Sequence, residues 1–367
     1  MKRRVFLQSL VSATMTARIF AAVEQARLND AADLLEQATV NKQVHAASLY
    51  VQQGDQVCSK AFGAATTPDD IFLLASISKP ISIAALMTLY DQGKFKLDEP
   101  VQKYIPEFRD GGRDQILIQH LLTHVCGLPD QLPNNQSLRQ GHAPLSDFIA
   151  EAIRTPLLFG PATNYSYSSM GILVAAELAQ RLSGVGFLEF VDSAVCKPLG
   201  MTHSALGLGR FAIEDTMLCQ VEDAAPESGG GDAAAKRWDW NSSYWRRFGA
   251  PWGGAHGSAP DVARFLADFL RPSGKMLNLA TSQLMLRNHN PPGLTPRGLG
   301  FAIGTRAGSP GCSEETFGHT GATGTLAWAD PSTNTICVVL TTLPSSAADP
   351  HPRRLASELV AKGAGGR

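Results

Sequence analysis

A serine and a lysine stand three residues apart in the mostly apolar stretch LLASISKPIS, as Ser76 and Lys79. At the start of a helix, residues at this spacing lie on one face, so the two side chains can touch. A serine hydroxyl becomes a good nucleophile when a base takes its proton. A lysine can be that base when burial and the positive end of a helix dipole lower its pKa. The pair therefore predicts nucleophilic catalysis by Ser76, and Pro80 is tolerated because it falls in the first turn.

The Ser-x-x-Lys pattern is weak by itself, since a chain of this length holds roughly one or two by chance. The alternative is a surface lysine on an amphipathic helix. Two further segments favour a catalytic role for Ser76 and Lys79 over this alternative. The segment PATNYSYSSMG places Tyr167 before a helix, and FGHTGATGTLAWADP places the run His319, Thr320 and Gly321 before a strand.

The sequence lacks the motifs of three other enzyme classes. The patterns G-x-S-x-G, H-E-x-x-H and G-x-x-x-x-G-K-[ST] do not occur. His120 and His124 have the spacing of paired metal ligands, but no acidic residue or third histidine lies nearby in sequence, so a structural role is the favoured interpretation. Core packing is likewise favoured over a pocket wall for four clustered tryptophans: Trp238, Trp240, Trp245 and Trp252.

Composition describes an ordinary globular chain. Of 367 residues, 44% are hydrophobic and 18% charged, with a formal net charge of −1. This balance argues against a nucleic-acid partner, and no segment reaches the ~18 uninterrupted apolar residues of a membrane span. The basic start MKRR followed by VFLQ resembles a twin-arginine export signal, which predicts a periplasmic or secreted protein. The six scattered cysteines are expected to be buried small hydrophobes, with a disulfide possible after export.

Strand patterns lie at both ends of the chain and helical patterns lie between them. A helix is predicted for 29–40, followed by a hairpin of AASLYVQQ and QVCSKAFG. The next helix starts at Ser76 and ends at Gly93. ILIQHLLTH and SMGILVAAELAQRLSG are the clearest helices in the middle, and 222–237 is the best candidate for a long exposed loop. GTLAWAD and TICVVLTTL form a second hairpin before a last helix at about 353–362.

These patterns predict an α+β fold. Strands from both chain ends can share one central antiparallel sheet flanked by the terminal helices, with the middle of the chain forming a helical insertion. An active site would then lie in the crevice between the two parts.

The motifs together resemble the serine β-lactamase and penicillin-binding-protein family, on its class C and esterase side. SISK resembles the family's nucleophile motif, SYSS its Tyr-x-Asn motif and HTG its Lys/His-Thr-Gly motif. The resemblance covers nearly the whole chain after the leader. The basic N-terminal stretch predicts an export leader at 1–28, and the resemblance implies one catalytic domain at 29–367, with its sheet part at about 29–96 and 300–367 and its helical part at about 97–299.

The resemblance also implies roles for individual residues. Ser76 would be the acylated nucleophile and Lys79 its proton partner, with Tyr167 sharing the general-base role and protonating the leaving group. The division of labour between Lys79 and Tyr167 is open, because two interacting groups titrate as a pair. The oxyanion hole would be the backbone N–H groups of Ser76 and Ala322. The remaining residues that the motifs place in the site are His319, Thr320 and Gly321.

One departure from the family pattern concerns the substrate amide. The family asparagine after the tyrosine is replaced by Ser169, which would take its substrate-binding position with a shorter side chain. Together with His319 where many members have lysine, this weakens the case for a specialised β-lactamase.

The favoured interpretation is a serine hydrolase that forms an acyl-enzyme on a small ester or amide substrate, above all a carboxylic ester hydrolase. A β-lactamase, a D-amino-acid peptidase and a non-hydrolytic penicillin-binding sensor are the alternatives. No metal and no organic cofactor is implied.

Overall fold

The computed structural model describes residues 24–365, and the export signal expected near the N-terminus lies mostly outside this range. Export therefore stays a prediction. Within the described residues no single helix is long and apolar enough to cross a membrane, and one pair of consecutive helices, bent by 83°, meets the criteria of length and composition only.

One antiparallel sheet of six strands joins the two ends of the chain, as the sequence predicts. Its strand order is β2-β1-β9-β8-β7-β6, so the N-terminal hairpin pairs directly with the last strand of the chain. The strands are β1 (Ala46–Gln53), β2 (Gln56–Gly63), β6 (Ala302–Ile303), β7 (Phe317–Gly321), β8 (Thr325–Asp330) and β9 (Thr335–Thr341). A second sheet, in the order β3-β5-β4, consists of β3 (Phe72–Leu73), β4 (Ser204–Leu206) and β5 (Ala255–Gly257). It was not predicted, because strands of two or three residues are too short to show a period.

The helices flank the large sheet and fill the middle of the chain. Their bounds are α1 (Gln25–Val40), α2 (Ser78–Asp91), α3 (Ile118–Leu122), α4 (Asn135–Gln140), α5 (Leu145–Arg154), α6 (Ser169–Ser183), α7 (Phe187–Val191), α8 (Lys197–Leu199), α9 (Ser243–Phe248), α10 (Ala259–Leu270), α11 (Leu279–Met285) and α12 (Pro352–Gly365).

Both faces of the inner strands β8 and β9 are buried, and successive residues of such a strand pack into different cores. Leu326 and Trp328 contribute to the cluster beneath α1 and α12, whereas Ala327 and Ala329 contribute to the main core that also includes α10. Side chains of a strand alternate between faces, so a strand covered on both sides is apolar throughout. This is why TICVVLTTL reads as a continuous hydrophobic run.

Several predicted elements differ from the structure. The first helix begins at Gln25 rather than at residue 29. ILIQHLLTH forms only the five-residue helix α3, because His124 adopts a left-handed φ of 65°, which ends helices. Residues 222–237, expected to be a long exposed loop, contain short 3₁₀ turns and bury Ala224 and Ala235. All six cysteines are free, and four are buried.

Candidate active site

Ser76 lies on a tight turn between the small sheet and α2. The turn is a 3₁₀ helix, Ala75–Ile77, and Ala75 has a φ of 47°, which is strained for a residue with a side chain. Ser78 stabilises this turn, since its hydroxyl donates to the Ala75 carbonyl at 2.5 Å and accepts from the Ala255 N–H at 2.9 Å. The turn therefore presents Ser76, which is partly exposed, to a cleft of about 340 Å³ that it lines.

Lys79 is buried beside Ser76, with 1% of its surface exposed. Its Nζ lies 3.1 Å from Ser76 Oγ, 2.9 Å from the Trp252 carbonyl oxygen and 4.7 Å from the centre of the Tyr167 ring. Burial lowers the pKa of Lys79 to about 7, with Arg297 acting in the same direction and Asp130 opposing it. An unprotonated amine still donates to the Trp252 carbonyl and presents its lone pair to Ser76 Oγ, which is the arrangement that a base requires.

Tyr167 lines the same cleft, two residues before α6, whose N-cap is Ser168. Burial raises the pKa of the Tyr167 phenol, and the Ser76 hydroxyl and Arg297 offset only part of that effect. The phenol is therefore protonated at neutral pH. The pKa of Lys79 is lowered from its ordinary value and that of Tyr167 is raised, so the lysine is suited to accept a proton and the tyrosine to donate one.

His319 precedes the strand β8, as the sequence predicts, and itself lies within the short strand β7. Its Nδ1 is 2.7 Å from the Thr320 carbonyl, which only accepts, so Nδ1 carries the proton. Burial and the charges of Arg297 and Lys79 hold the pKa of His319 well below its usual value, so the ring is neutral. Its Nε2 is then an acceptor, 3.5 Å from Tyr167 Oη and 3.4 Å from Arg297 Nη2.

The segment from Gly321 to Thr325 is fixed against the turn that carries Ser76. Thr323 and Thr325 donate hydroxyl hydrogen bonds to the Leu73 and Leu74 carbonyls, at 2.7 and 2.8 Å. Gly321 allows this approach, because a Cβ there would lie 2.4 Å from Leu74 O. Ala322 and Ser76 both line the cleft. An oxyanion hole formed by their N–H groups stays a prediction.

Arginines give the cleft a positive character. Arg297, Arg306 and Arg353 line it, and no acidic residue of the described chain is among the lining residues. Arg297 is buried with its Nη2 3.1 Å from His124 Nε2, and its Nε has no partner among the described residues. Burying a guanidinium without a carboxylate partner costs free energy, and a bound anion would offset that cost. Neither Arg297 nor its contact with His124 could be read from the sequence, because they lie on loops far apart in the chain.

Ser169 is placed differently from the expectation. Its hydroxyl and its backbone N–H both donate to Asp130 Oδ1, at 2.5 and 3.0 Å. Only 2% of Ser169 is exposed, and it does not line the cleft. A direct substrate contact for Ser169 is therefore not supported by this geometry, whereas Thr320, Gly321 and Ala322 do line the cleft.

The remaining candidate groups lie outside the catalytic cleft. His120 accepts a hydrogen bond from the Leu117 N–H and thereby closes the first turn of α3. Within residues 24–365 no group of three or more His, Cys, Asp or Glu residues is arranged to hold a metal ion. All four clustered tryptophans are buried: Trp238, Trp240, Trp245 and Trp252. Packing is thus confirmed as their role, and Trp252 adds its carbonyl to the Lys79 site.

Comparison with known proteins finds relatives over most of the chain. The family model described as Beta-lactamase matches residues 26–362. Esterase EstB of Burkholderia gladioli is 29% identical over 328 residues, covering 81% of this chain and 80% of EstB. A D-alanyl-D-alanine carboxypeptidase-like protein of Escherichia coli K12 is 26% identical over 344 residues, covering 83% of this chain and 79% of that protein.

Solved structures show the same fold. EstCE1, a hydrolase with promiscuous acyltransferase activity, superposes with a TM-score of 0.72 at 21% identity, covering 91% of this chain and 99% of EstCE1. A penicillin-binding protein homologue of Caulobacter crescentus gives a TM-score of 0.72 at 20% identity, covering 92% of this chain and 98% of the homologue. From the match of the family model over nearly all of the described residues, the protein belongs to the beta-lactamase family and is a serine hydrolase.

Proposed function

We propose that the protein hydrolyses carboxylic esters through an acyl-enzyme on Ser76. The observation that carries the proposal is the contact of 3.1 Å between Lys79 Nζ and Ser76 Oγ, at a lysine whose pKa is lowered to about 7. A substantial fraction of that amine is unprotonated at neutral pH and can accept the serine proton as Oγ attacks the ester carbonyl.

Charge that develops on the carbonyl oxygen is stabilised by the N–H groups of Ser76 and Ala322. One donor of this kind contributes about 10²–10³ in rate. Tyr167, protonated at neutral pH, donates a proton to the leaving alkoxide as the acyl-enzyme forms. Acylation leaves Lys79 protonated and Tyr167 as a phenolate. Water then attacks the acyl carbonyl and gives its proton to Tyr167, while Lys79 returns its proton to Ser76 Oγ as that oxygen leaves. The scheme uses side chains, backbone N–H groups and water.

An ester is favoured over an amide because the side chain in the position of the family asparagine is occupied elsewhere. Ser169 donates its hydroxyl to Asp130 and is buried, so it offers no partner to a substrate amide. A site gains discrimination for an amide by pairing it, and an ester needs no such partner. Similarity to esterase EstB supports the same choice.

A second candidate is cleavage of a substrate that carries a carboxylate, such as a D-alanyl-D-alanine peptide. Arg297, Arg306 and Arg353 favour it, since they line the cleft with no acidic residue among its described lining. The D-alanyl-D-alanine carboxypeptidase-like relative points to the same chemistry.

Rates of turnover distinguish these functions. The purified protein is assayed with p-nitrophenyl butyrate, a D-alanyl-D-alanine peptide and nitrocefin, with Ser76→Ala as the inactive control. We expect steady turnover of the ester, with a kcat/KM above the values for both other substrates. A higher kcat/KM for the peptide or nitrocefin would replace the ester assignment, and a single burst without turnover would indicate a penicillin-binding sensor.

A further inference from the structure

The buried polar side chains of α2 all bond one short segment of the chain, residues 251–255. Lys79 Nζ donates to the Trp252 carbonyl at 2.9 Å. Ser82 Oγ donates to the Pro251 carbonyl at 2.7 Å, and Ser78 Oγ accepts from the Ala255 N–H at 2.9 Å. The other buried side chains of this helix are apolar, so its polar contacts in the core are directed to this segment alone.

The segment contains a tight turn whose shape is fixed by its own backbone. The N–H groups of Gly253 and Gly254 both donate to the Ala250 carbonyl, at 3.0 and 2.7 Å. A Cβ at Gly254 would lie 2.4 Å from the Ala250 nitrogen, so a side chain there would force the turn to shift. The Trp252 ring is buried, with 3% of the residue exposed. The turn of residues 250–254 therefore presents its carbonyl groups to α2 as a unit.

The Trp252 carbonyl determines how the amine of Lys79 is presented to the nucleophile. An unprotonated amine has two N–H groups and one lone pair. When the carbonyl accepts one N–H, the lone pair remains for the hydroxyl of Ser76, whose Oγ lies 3.1 Å from Nζ. A lysine side chain is long and flexible, so this second partner restricts the amine to the orientation that proton transfer requires.

Ser82 anchors the turn from the side of the helix. It follows Lys79 by three residues and so lies on the same face of α2, with 3% of its surface exposed. The carbonyl that it bonds, that of Pro251, immediately precedes the residue that bonds the lysine. Removal of the Ser82 hydroxyl would leave a buried carbonyl without this donor, which favours movement of the turn.

We propose that Ser82 is a positioning residue for acylation, which anchors the turn of residues 250–254 so that the Trp252 carbonyl orients Lys79 towards Ser76. Ser82 does not line the cleft, so it acts through the turn and not through the substrate. This inference rests on the proposed role of Lys79 as the base that accepts the proton of Ser76.

Ser82→Ala tests this, because it removes the anchor and leaves the lysine in place. The control is Thr88→Ala on the same helix, where the hydroxyl donates only to the Ala85 carbonyl of α2 itself, at 2.8 Å. We expect kcat for p-nitrophenyl butyrate to fall by ~10-fold or more in Ser82→Ala, with KM unchanged within ~2-fold. The control is expected to keep the parent kcat, and thermal unfolding confirms that each variant is folded.

Ser82→Thr keeps a hydroxyl donor at this position and is expected to retain kcat within ~3-fold of the parent. An equal loss of kcat in folded Ser82→Thr and Ser82→Ala would show that the hydroxyl is not the group on which acylation depends, and would overturn the proposal.

Measurements at pH 9 separate orientation from protonation. Lys79, with a pKa of about 7, is largely unprotonated at pH 9. A misplaced amine remains misplaced there, so the loss of kcat in Ser82→Ala should persist at pH 9. Recovery of the parent kcat at pH 9 would mean that Ser82 affects only the charge of the lysine, and would overturn the role in orientation.

A double-mutant cycle with Lys79→Met tests whether Ser82 acts through the lysine. In that case, adding Ser82→Ala to Lys79→Met lowers the remaining rate by less than ~2-fold. The same factor of loss in both backgrounds would overturn the proposal. Near-parent turnover by Lys79→Met alone would contradict the proposed function, whereas parent-like kcat in Ser82→Ala beside an inactive Lys79→Met would overturn only this inference.

Discussion

Gly321 is the position at which one added methyl group should separate the oxyanion donor from the nucleophile. A Cβ there would lie 2.4 Å from Leu74 O and 3.1 Å from Ala75 Cβ, where ordinary contact begins at 3.4 Å. The closest backbone contact is thus about 1 Å too short, and relief requires β7 and the Ser76 turn to move apart by a similar amount. A displacement of ~1 Å in a catalytic group costs about 10²-fold in rate.

Gly321→Ala is therefore expected to lower kcat/KM for p-nitrophenyl butyrate by about 10²-fold. The matched control is Gly186→Ala, because a Cβ at that exposed glycine meets nothing within 4 Å. Thermal unfolding of both variants separates a local displacement from loss of the fold. A folded Gly321→Ala protein with activity within ~3-fold of the control would refute the conclusion that catalysis depends on the close approach of β7 to the Ser76 turn.

Three further predictions concern the charges at the site. First, kcat/KM of the parent should fall as the pH drops below about 7, because protonation of Lys79 removes the base; a profile that is flat from pH 5 to 8 would contradict this. Second, Arg297→Met should move that acidic limb to higher pH, because Arg297 lowers the pKa of Lys79, and should weaken carboxylate-bearing substrates relative to p-nitrophenyl butyrate by ~10-fold or more. An unchanged substrate ratio would exclude Arg297 from anion binding. Third, Lys79 has a pKa of about 7 in the folded state against an ordinary 10.5, so the unfolded state binds more protons between these values and stability rises with pH there. In denaturant titrations, the free energy of unfolding of the parent should rise by about 2 kcal/mol more than that of Lys79→Met between pH 7 and 9. Equal pH dependence of the two free energies would contradict a lowered pKa of Lys79.

The sequence predicted well those features that depend on neighbouring residues. Ser76 and Lys79 meet because they lie three residues apart at a helix start, and the hairpin of β1 and β2 has the bounds that its alternating pattern suggests. The joining of strands from both chain ends into one sheet followed from the order of elements and the need to cover apolar faces.

Features that depend on the tertiary fold could not be predicted from the sequence. Arg297 carries no local pattern, and it reaches the site only because loops distant in sequence converge there. Ser169 was assigned by motif position, but the direction of its hydroxyl is decided by Asp130, which lies 39 residues earlier in the chain. His319 could be associated with Ser76 only through the family resemblance, since the whole helical part separates the two residues in sequence.

The central claim is that Ser76 carries the acyl group. The most direct measurement is intact mass spectrometry of the protein quenched during turnover of p-nitrophenyl butyrate, followed by peptide mapping, with Ser146→Ala as a control at an exposed serine. We expect a butyryl adduct on the peptide that contains Ser76, present in the parent and in the control and absent from Ser76→Ala. An adduct at another serine, or full turnover by Ser76→Ala, would contradict the mechanism.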